Sequence, residues 1–471
     1  MAIPETSHEA VNVKRRVLPS LSENTFLRYI SFAILYVAQG IPEGMTFFGI
    51  PAWMAMNGKS ASEIGAFSAV VIIPWSFKIL VAPLMDRFTI LSMGRKRPWI
   101  IFGQLGLMFS FIAMAFVPDP LNNINLLMTA GFFVSLFGSI QDVATDGMAI
   151  DIVPIDQQAR ANGLMWGAKT IGISVSLVSG NWIINNYGFM QAILFLSILV
   201  CLILLVPLLM RERPGEKLLP WSEGAASESA KKVQLESLVQ IFKSLFKVFF
   251  LPGSLFMGIA FFCFQLGNGL ILAVLPVFTI QELGWNDQEY SHVFSVVNIS
   301  AGFLGMFAGG ALADLFGKKR MMSIYLLSMI VLVTVMAFSK VYWATPYYVE
   351  GFIGMYLTFY VFLTVAAFAT GMSLCWKQVA ATQFTLYMAI SNLGRAFGAS
   401  LLGPLRNFLS WEYVILTFAV FALGMLIFIQ LIHTKKHLDN IDQLESDHQK
   451  NIKPIVLPAA VSIGNNIPPG Q

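Results

Sequence analysis

Asp142 and Asp146 lie four residues apart in an apolar run that reads Gln141-Asp142-Val143-Ala144-Thr145-Asp146-Gly147-Met148-Ala149-Ile150-Asp151. That spacing puts both carboxylates on one face of a helix. A charge buried in hydrocarbon costs several kcal/mol unless it is paired, so acids in such a place face a cavity or a cation. Two lysines answer them. Lys78 lies eight residues before Asp86, about 12 Å deeper at ~1.5 Å per residue, and Asp142 lies nine before Asp151, about 13 Å deep. Lys169 stands nine residues past Arg160 and reaches a similar depth. Equal depth groups Lys78, Lys169, Asp142 and Asp146 in one expected buried ion network, with Asp151 and Arg160 toward its cytoplasmic end. Such a network either holds helices together or handles a proton or a substrate charge.

Glu43 and Arg395 form a second set. Glu43 sits in Gly40-Ile41-Pro42-Glu43-Gly44, where Pro and Gly interrupt helix bonding, and interrupted helices at depth mark binding sites. Arg395 lies fifteen residues beyond Ala380. Its guanidinium suits an anionic substrate group, or pairs with Glu43. Gly394, Gly398 and Gly403 nearby are read as packing residues that let helices approach closely.

Two clusters of exposed charge recur half a chain apart. One is Asp86-Arg87 followed by Gly94-Arg95-Lys96-Arg97, and the other is Asp314 followed by Lys318-Lys319-Arg320. Each places an acid at the end of one apolar run and a basic turn at the start of the next. Repetition of the device points to duplicated halves, and its chemistry to a gating latch that breaks when the halves rock apart.

The elements that must position these residues are membrane helices. The chain of 471 residues is 56% hydrophobic and only 12% charged, against about 25% charged in soluble domains. Its mean hydropathy is +0.69. Charge-free runs such as Pro98 to Pro118, Leu121 to Gln141 and Met321 to Ser339 are each about 20 residues, enough to cross a bilayer as a helix. The reading is an all-α membrane protein of about twelve transmembrane helices, at approximately 26–55, 61–85, 98–117, 122–150, 160–184, 189–210, 249–281, 290–313, 321–339, 347–374, 380–404 and 412–432. They fall into two pseudo-symmetric six-helix bundles, 26–210 and 248–433, joined by a cytoplasmic linker, 211–247. Gly224 to Ser229 reads as flexible, and Leu235, Leu238, Val239, Phe242, Leu245 and Phe246 give the rest one apolar helical face, suited to a membrane surface. Tails of 1–25 and 434–471 complete the chain, the second expected to be disordered. Lys and Arg gather on the loops that share a side with both tails, which puts both termini in the cytoplasm of a bacterial-type inner membrane.

Enzyme, metal and cofactor chemistry find no support. The histidines His8, His292, His433, His437 and His448 are scattered, and Cys201, Cys263 and Cys375 sit singly in apolar runs. No nucleic-acid partner is expected, because the basic residues sort by membrane side. Met1 to Asn24 lacks the apolar core of a signal peptide. The expected partners are the lipid bilayer, a small organic solute and protons, with the chain a monomer. A non-transporting receptor on the same fold is the alternative, and the lack of an appended sensor domain argues against it.

The clusters also resemble a known family. Asp86-Arg87 with the Gly94-Arg95-Lys96-Arg97 turn resembles the loop motif of the major facilitator superfamily. More narrowly, Phe77 to Arg87, Gly94 to Trp99 and Gln104 look like AmpG-type muropeptide permeases, a subgroup that also contains acetyl-coenzyme A transporters. Gln141-Asp142, Asp146, Asp151 and Arg160 match in spacing, and Ala381-Thr382-Gln383-Phe384 with Ser391 to Arg395 is similar again. The resemblance implies a major facilitator fold, a central cavity, alternating access and proton-driven import of an anhydro-muropeptide. It adds Gln141 and Gln383 to Glu43 and Arg395 as substrate or coupling residues. The chain departs from those permeases at Val81, Pro98 and Gly147 to Ile150, which keeps siderophores and acyl-coenzyme A open as cargo.

Overall fold

The computed structural model describes residues 20–226, 238–376 and 379–451, and these form helices apart from turns and one isolated bridge between Ser20 and Arg211. Residues 1–19, 227–237 and 452–471 of the expected tails and linker lie outside the described residues, as does the side chain of Asp314.

Twelve spans follow one another among the described residues: span 1 (25–56), span 2 (Ala61–Arg87), span 3 (Arg97–Ala115), span 4 (Ile124–Ile152), span 5 (Ile155–Tyr187) and span 6 (Phe189–Leu209). The second half supplies span 7 (Pro252–Glu282), span 8 (287–316), span 9 (Lys318–Phe338), span 10 (Pro346–Ser373), span 11 (380–408) and span 12 (Trp411–Leu431). One end of the array carries Arg95 to Arg97, Arg160 and Lys318 to Arg320; we call it the basic end. Spans 3, 6, 9 and 12 leave Phe109, Leu202, Val331 and Val420 exposed, apolar surface that lipid covers.

The same devices build both halves. Span 2 begins with a capping box of Ser60 and Glu63, and span 8 with one of Asn286 and Glu289, each satisfying backbone donors that a helix start leaves free. Pro42 in span 1 and Pro276 in span 7 each precede a π-helical turn, Gly44–Gly49 and Phe278–Glu282, because proline removes one N–H from the helical ladder. Spans 1 and 5 pack in the first half as spans 7 and 11 do in the second. Glycine permits both contacts. A Cβ on Gly394 would stand 2.6 Å from the Phe262 carbonyl oxygen, and one on Gly40 would meet the Lys169 carbonyl. The halves touch each other through spans 2 and 11 and spans 5 and 8.

The surface helix expected in the linker runs over Leu238–Phe249. Its Lys243 and Lys247 are exposed, while Leu245 and Val248 are buried. One expectation is overturned. Thr434–Asn451 is a helix rather than a disordered tail, docked by Ile441 on Val248, Trp376 and Val379 and by His437 on Gly253. Apolar contacts at Ile441 and Leu444, with the buried and hydrogen-bonded ring of His437, supply the burial that a disordered segment lacks.

Candidate functional site

A cavity of about 440 Å³ lies between the halves. Glu43, Phe47, Trp75, Lys78, Trp166 and Lys169 line it from the first half. Gln265, Asn298, Tyr360, Ser391, Asn392 and Arg395 line it from the second. The cavity is sealed away from the basic end. There Gln281 Nε2 donates to the carbonyls of Ala55 (3.0 Å) and Lys59 (2.8 Å), and a Cβ on Gly403 would lie 2.6 Å from Ser62. Asn181 donates to Ser291 Oγ at 2.7 Å and Asn185 to Asp287 at 2.8 Å, joining spans 5 and 8. Toward the basic end the lining continues to Asn162 and Gly163, and among the described residues no hydrogen bond joins the halves there.

Pro74 starts a tight turn, Ile73–Phe77, inside span 2, and this turn carries Trp75 and leads into Lys78. Asn392 Nδ2 of span 11 donates to the Trp75 carbonyl at 3.2 Å. The Lys78 ammonium bonds Asp142, with both side chains almost wholly buried. Lys169 pairs with Glu43 at 2.6 Å. Both ammoniums lie over the Trp75 ring, 4.8 and 5.2 Å from its centre, which joins the two pairs electrostatically. Asp146 has a hydroxyl as partner, the phenol of Tyr36, and its charged neighbours are Asp142, Lys78 and Lys169. Glu43 thus joins the set through Lys169, because Gly40 and Gly172 bring spans 1 and 5 together. Arg395 does not reach Glu43; its guanidinium stands over the Phe47 ring at 4.8 Å.

At the basic end, Asp86 holds Arg95 (2.9 Å) and Lys96 (2.5 Å), and Asp151 accepts from Arg95 at 3.3 Å. Asp151 therefore belongs to this cluster and not to the deeper one. Glu212, which the sequence reading passed over, is its centre. Its carboxylate accepts the backbone N–H of Arg95 (2.8 Å), Lys96 (2.7 Å) and Arg97, capping the start of span 3. Burial pushes the Glu212 carboxyl up, against those three bonds and Arg213, which pull it down. Gly94 makes room: its φ is +105° and a Cβ would stand 2.8 Å from the Glu212 carboxyl carbon. Every ion pair of this cluster among the described residues stays within the first half.

Arg97 donates to the carbonyls of Pro207 (2.5 Å) and Leu208 (3.2 Å), where span 6 ends. Lys319 does the same at the end of span 12, to Gln430 and Ile432, both at 3.1 Å. The two basic turns thus share one task, capping the last helix of their own half.

Several sequence-derived residues lie elsewhere. Arg160, one turn into span 5, is exposed and far from a buried network; Arg87 and Arg320 are exposed as well, and Lys318 is half-buried. Gln141 is buried against Gly103 and donates to the Leu35 carbonyl at 3.2 Å, away from the cavity. Gln383 is likewise committed: it donates to Ser254 (3.0 Å), Tyr387 (3.2 Å) and the Leu374 carbonyl (3.3 Å) and accepts from Trp376 N–H (2.9 Å). Neither lines the cavity.

The family model described as Major Facilitator Superfamily matches residues 32–399 and, in a second placement, 257–455. The chain is 23% identical over 397 residues to the anhydromuropeptide permease of Escherichia coli strain K12, covering 83% of this chain and 76% of that protein. It is 23% identical over 429 residues to the putative transporter AmpG 4 of Rickettsia conorii, covering 87% and 97%. Among solved structures, the nucleoside transporter NupG superposes with a TM-score of 0.63 at 15% identity, over 86% of this chain and 98% of that one.

Proposed function

Because this chain belongs to the Major Facilitator Superfamily and is a multi-pass membrane transporter, we propose that it imports an anhydro-muropeptide-like solute by proton-coupled alternating access. The observation that carries the reading is the cavity itself, walled by both halves, sealed at one end and bordered by paired charges. Rocking the halves about this site would seal the basic end and part Gln281 from Ala55 and Lys59. The excess of Lys and Arg on the basic end makes that end cytoplasmic. The cargo class follows the relatives named as anhydromuropeptide permeases.

Asp146 is the proton site in this reading. Glu43 and Asp142 are each held by an ammonium, whereas Asp146 has, among the described residues, the Tyr36 hydroxyl alone and keeps partial exposure. Protonating it removes one negative charge beside Asp142, Lys78 and Lys169 and so shifts the charge balance of the buried network.

The test is uptake of labelled anhydro-muropeptide into proteoliposomes. An imposed pH gradient drives accumulation in the parent protein, and Asp146→Asn leaves uptake that ignores the gradient. Accumulation of equal size with and without a gradient in the parent would remove proton coupling.

A further inference from the structure

We infer that the cavity selects solutes bearing a carboxylate, which Arg395 binds while its guanidinium rests on Phe47 and Trp75 and Ser391 donate hydrogen bonds beside it. The inference rests on the cavity being the cargo site, and it names what that site recognises.

Three cations line the cavity, and two are neutralised within the protein, Lys78 by Asp142 and Lys169 by Glu43. Arg395 is the third. Among the described residues it has no carboxylate partner, and its Nε is buried without a hydrogen-bond acceptor. The Phe47 ring face stabilises the positive charge from above but accepts none of the in-plane N–H bonds. Span 7 holds the residue in place: a Cβ on Gly269 would collide with the Arg395 backbone.

The lining holds other unsatisfied groups, from both halves. Among the described residues, Trp75 Nε1, Ser391 Oγ and Asn298 Nδ2 are buried without partners, and each is a donor. Trp75 and Ser391 are each only 4% exposed, so solvent does not serve them well. Glu43, the carboxylate in the lining, is already engaged by Lys169. A surface of free donors around an uncompensated cation complements an anionic, acceptor-rich group and repels a cationic solute. The aromatic rings of Phe47 and Trp75 leave the remaining surface suited to a ring-shaped body.

The experiment compares binding of N-acetylmuramic acid and N-acetylglucosamine to the purified full-length protein by calorimetry. The two sugars differ by a lactyl ether carboxylate. The acid binds at least about tenfold tighter, the preference expected for a charge-assisted hydrogen bond. Arg395→Gln erases the preference, Arg395→Lys retains part of it, and Trp75→Phe weakens the acid while sparing the neutral sugar. Thermal melting of each variant establishes that it is folded. Equal affinities, binding of neither sugar, or a preference that survives in folded Arg395→Gln overturns the inference. Uptake without acid preference overturns it too and leaves the transport reading intact, whereas acid-selective binding without uptake does the reverse.

Discussion

At the residue scale the deepest commitment is the Lys78–Asp142 pair, both ends buried and over Trp75. Removing one partner of a buried pair strands the other charge, at a cost of about 3–5 kcal/mol. Asp142→Asn and Lys78→Gln are therefore each expected to lower the melting temperature sharply and to cut yield. The double variant, with no charge left to strand, should recover most of both. If the double variant melts as low as the worse single one, the pair is not acting as a unit. Lys78 and Asp142 were legible because depth can be counted along a helix from its charged end. The partner of Lys169 was not, because Glu43 faces it only where Gly40 and Gly172 let two spans touch. Glu212 escaped for another reason: its partners are backbone N–H groups, which no side-chain pattern announces. Gln141 and Gln383 were suggested by resemblance alone, and both serve to tie helices together.

At the scale of elements, eight helices among the described residues are long and apolar enough to be recognised as membrane spans by composition. Spans 1, 5, 8 and 11 are not among them, and they carry Glu43, Lys169, Asn298 and Arg395. Their polar faces meet the cavity rather than lipid, so the property that lowers their hydropathy is the property that builds the site. Their close packing is testable. Gly394→Val places a side chain into the Phe262 carbonyl and should destabilise span 11 against span 7. Gly424→Ala, whose Cβ would meet Cys263 at 3.4 Å, should melt like the parent. Equal melting temperatures would refute the packing argument. The docked helix Thr434–Asn451 makes a second prediction. Burial pushes the His437 imidazole below its usual value. Its Nε2 lies 2.9 Å from the Leu374 carbonyl, which accepts, so Nδ1 is the bare nitrogen, buried without a partner among the described residues. The depressed value means the undocked state takes up a proton more readily. Docking is therefore complete above the ordinary imidazole range and weakens as pH falls through it. Hydrogen-exchange protection in 434–446, taken relative to the intrinsic rate at each pH, should fall between about pH 7.5 and pH 5.5 in the parent and not in His437→Gln. A pH-independent protection in the parent would count against it.

At the scale of the whole molecule, two halves built by the same devices meet in one arrangement, and a transporter needs a second. The seal away from the basic end is made of contacts that can part without breaking either half: backbone carbonyls held by Gln281, amides of span 5 on span 8, and Ser62 against Gly403. The Glu212 clamp and the Asp86 pairs lie inside the first half and travel with it, so opening the seal leaves them whole. A bond placed across the seal should therefore stop the cycle while sparing the fold. Asn181→Cys with Ser291→Cys would replace the 2.7 Å hydrogen bond between these two short side chains with a disulfide across the same seal. The native Cys201, Cys263 and Cys375 lie in spans 6 and 7 and just past the end of span 10, apart from this seal. Under oxidising conditions the double variant is expected to lose uptake in proteoliposomes and to regain it with reductant, while each single variant transports throughout. Labelling adds direction: a cysteine placed at Asn162, in the lining near the basic end, should stay reactive in the locked protein. Full uptake through a quantitatively cross-linked seal would mean that solute crosses without the halves ever parting there.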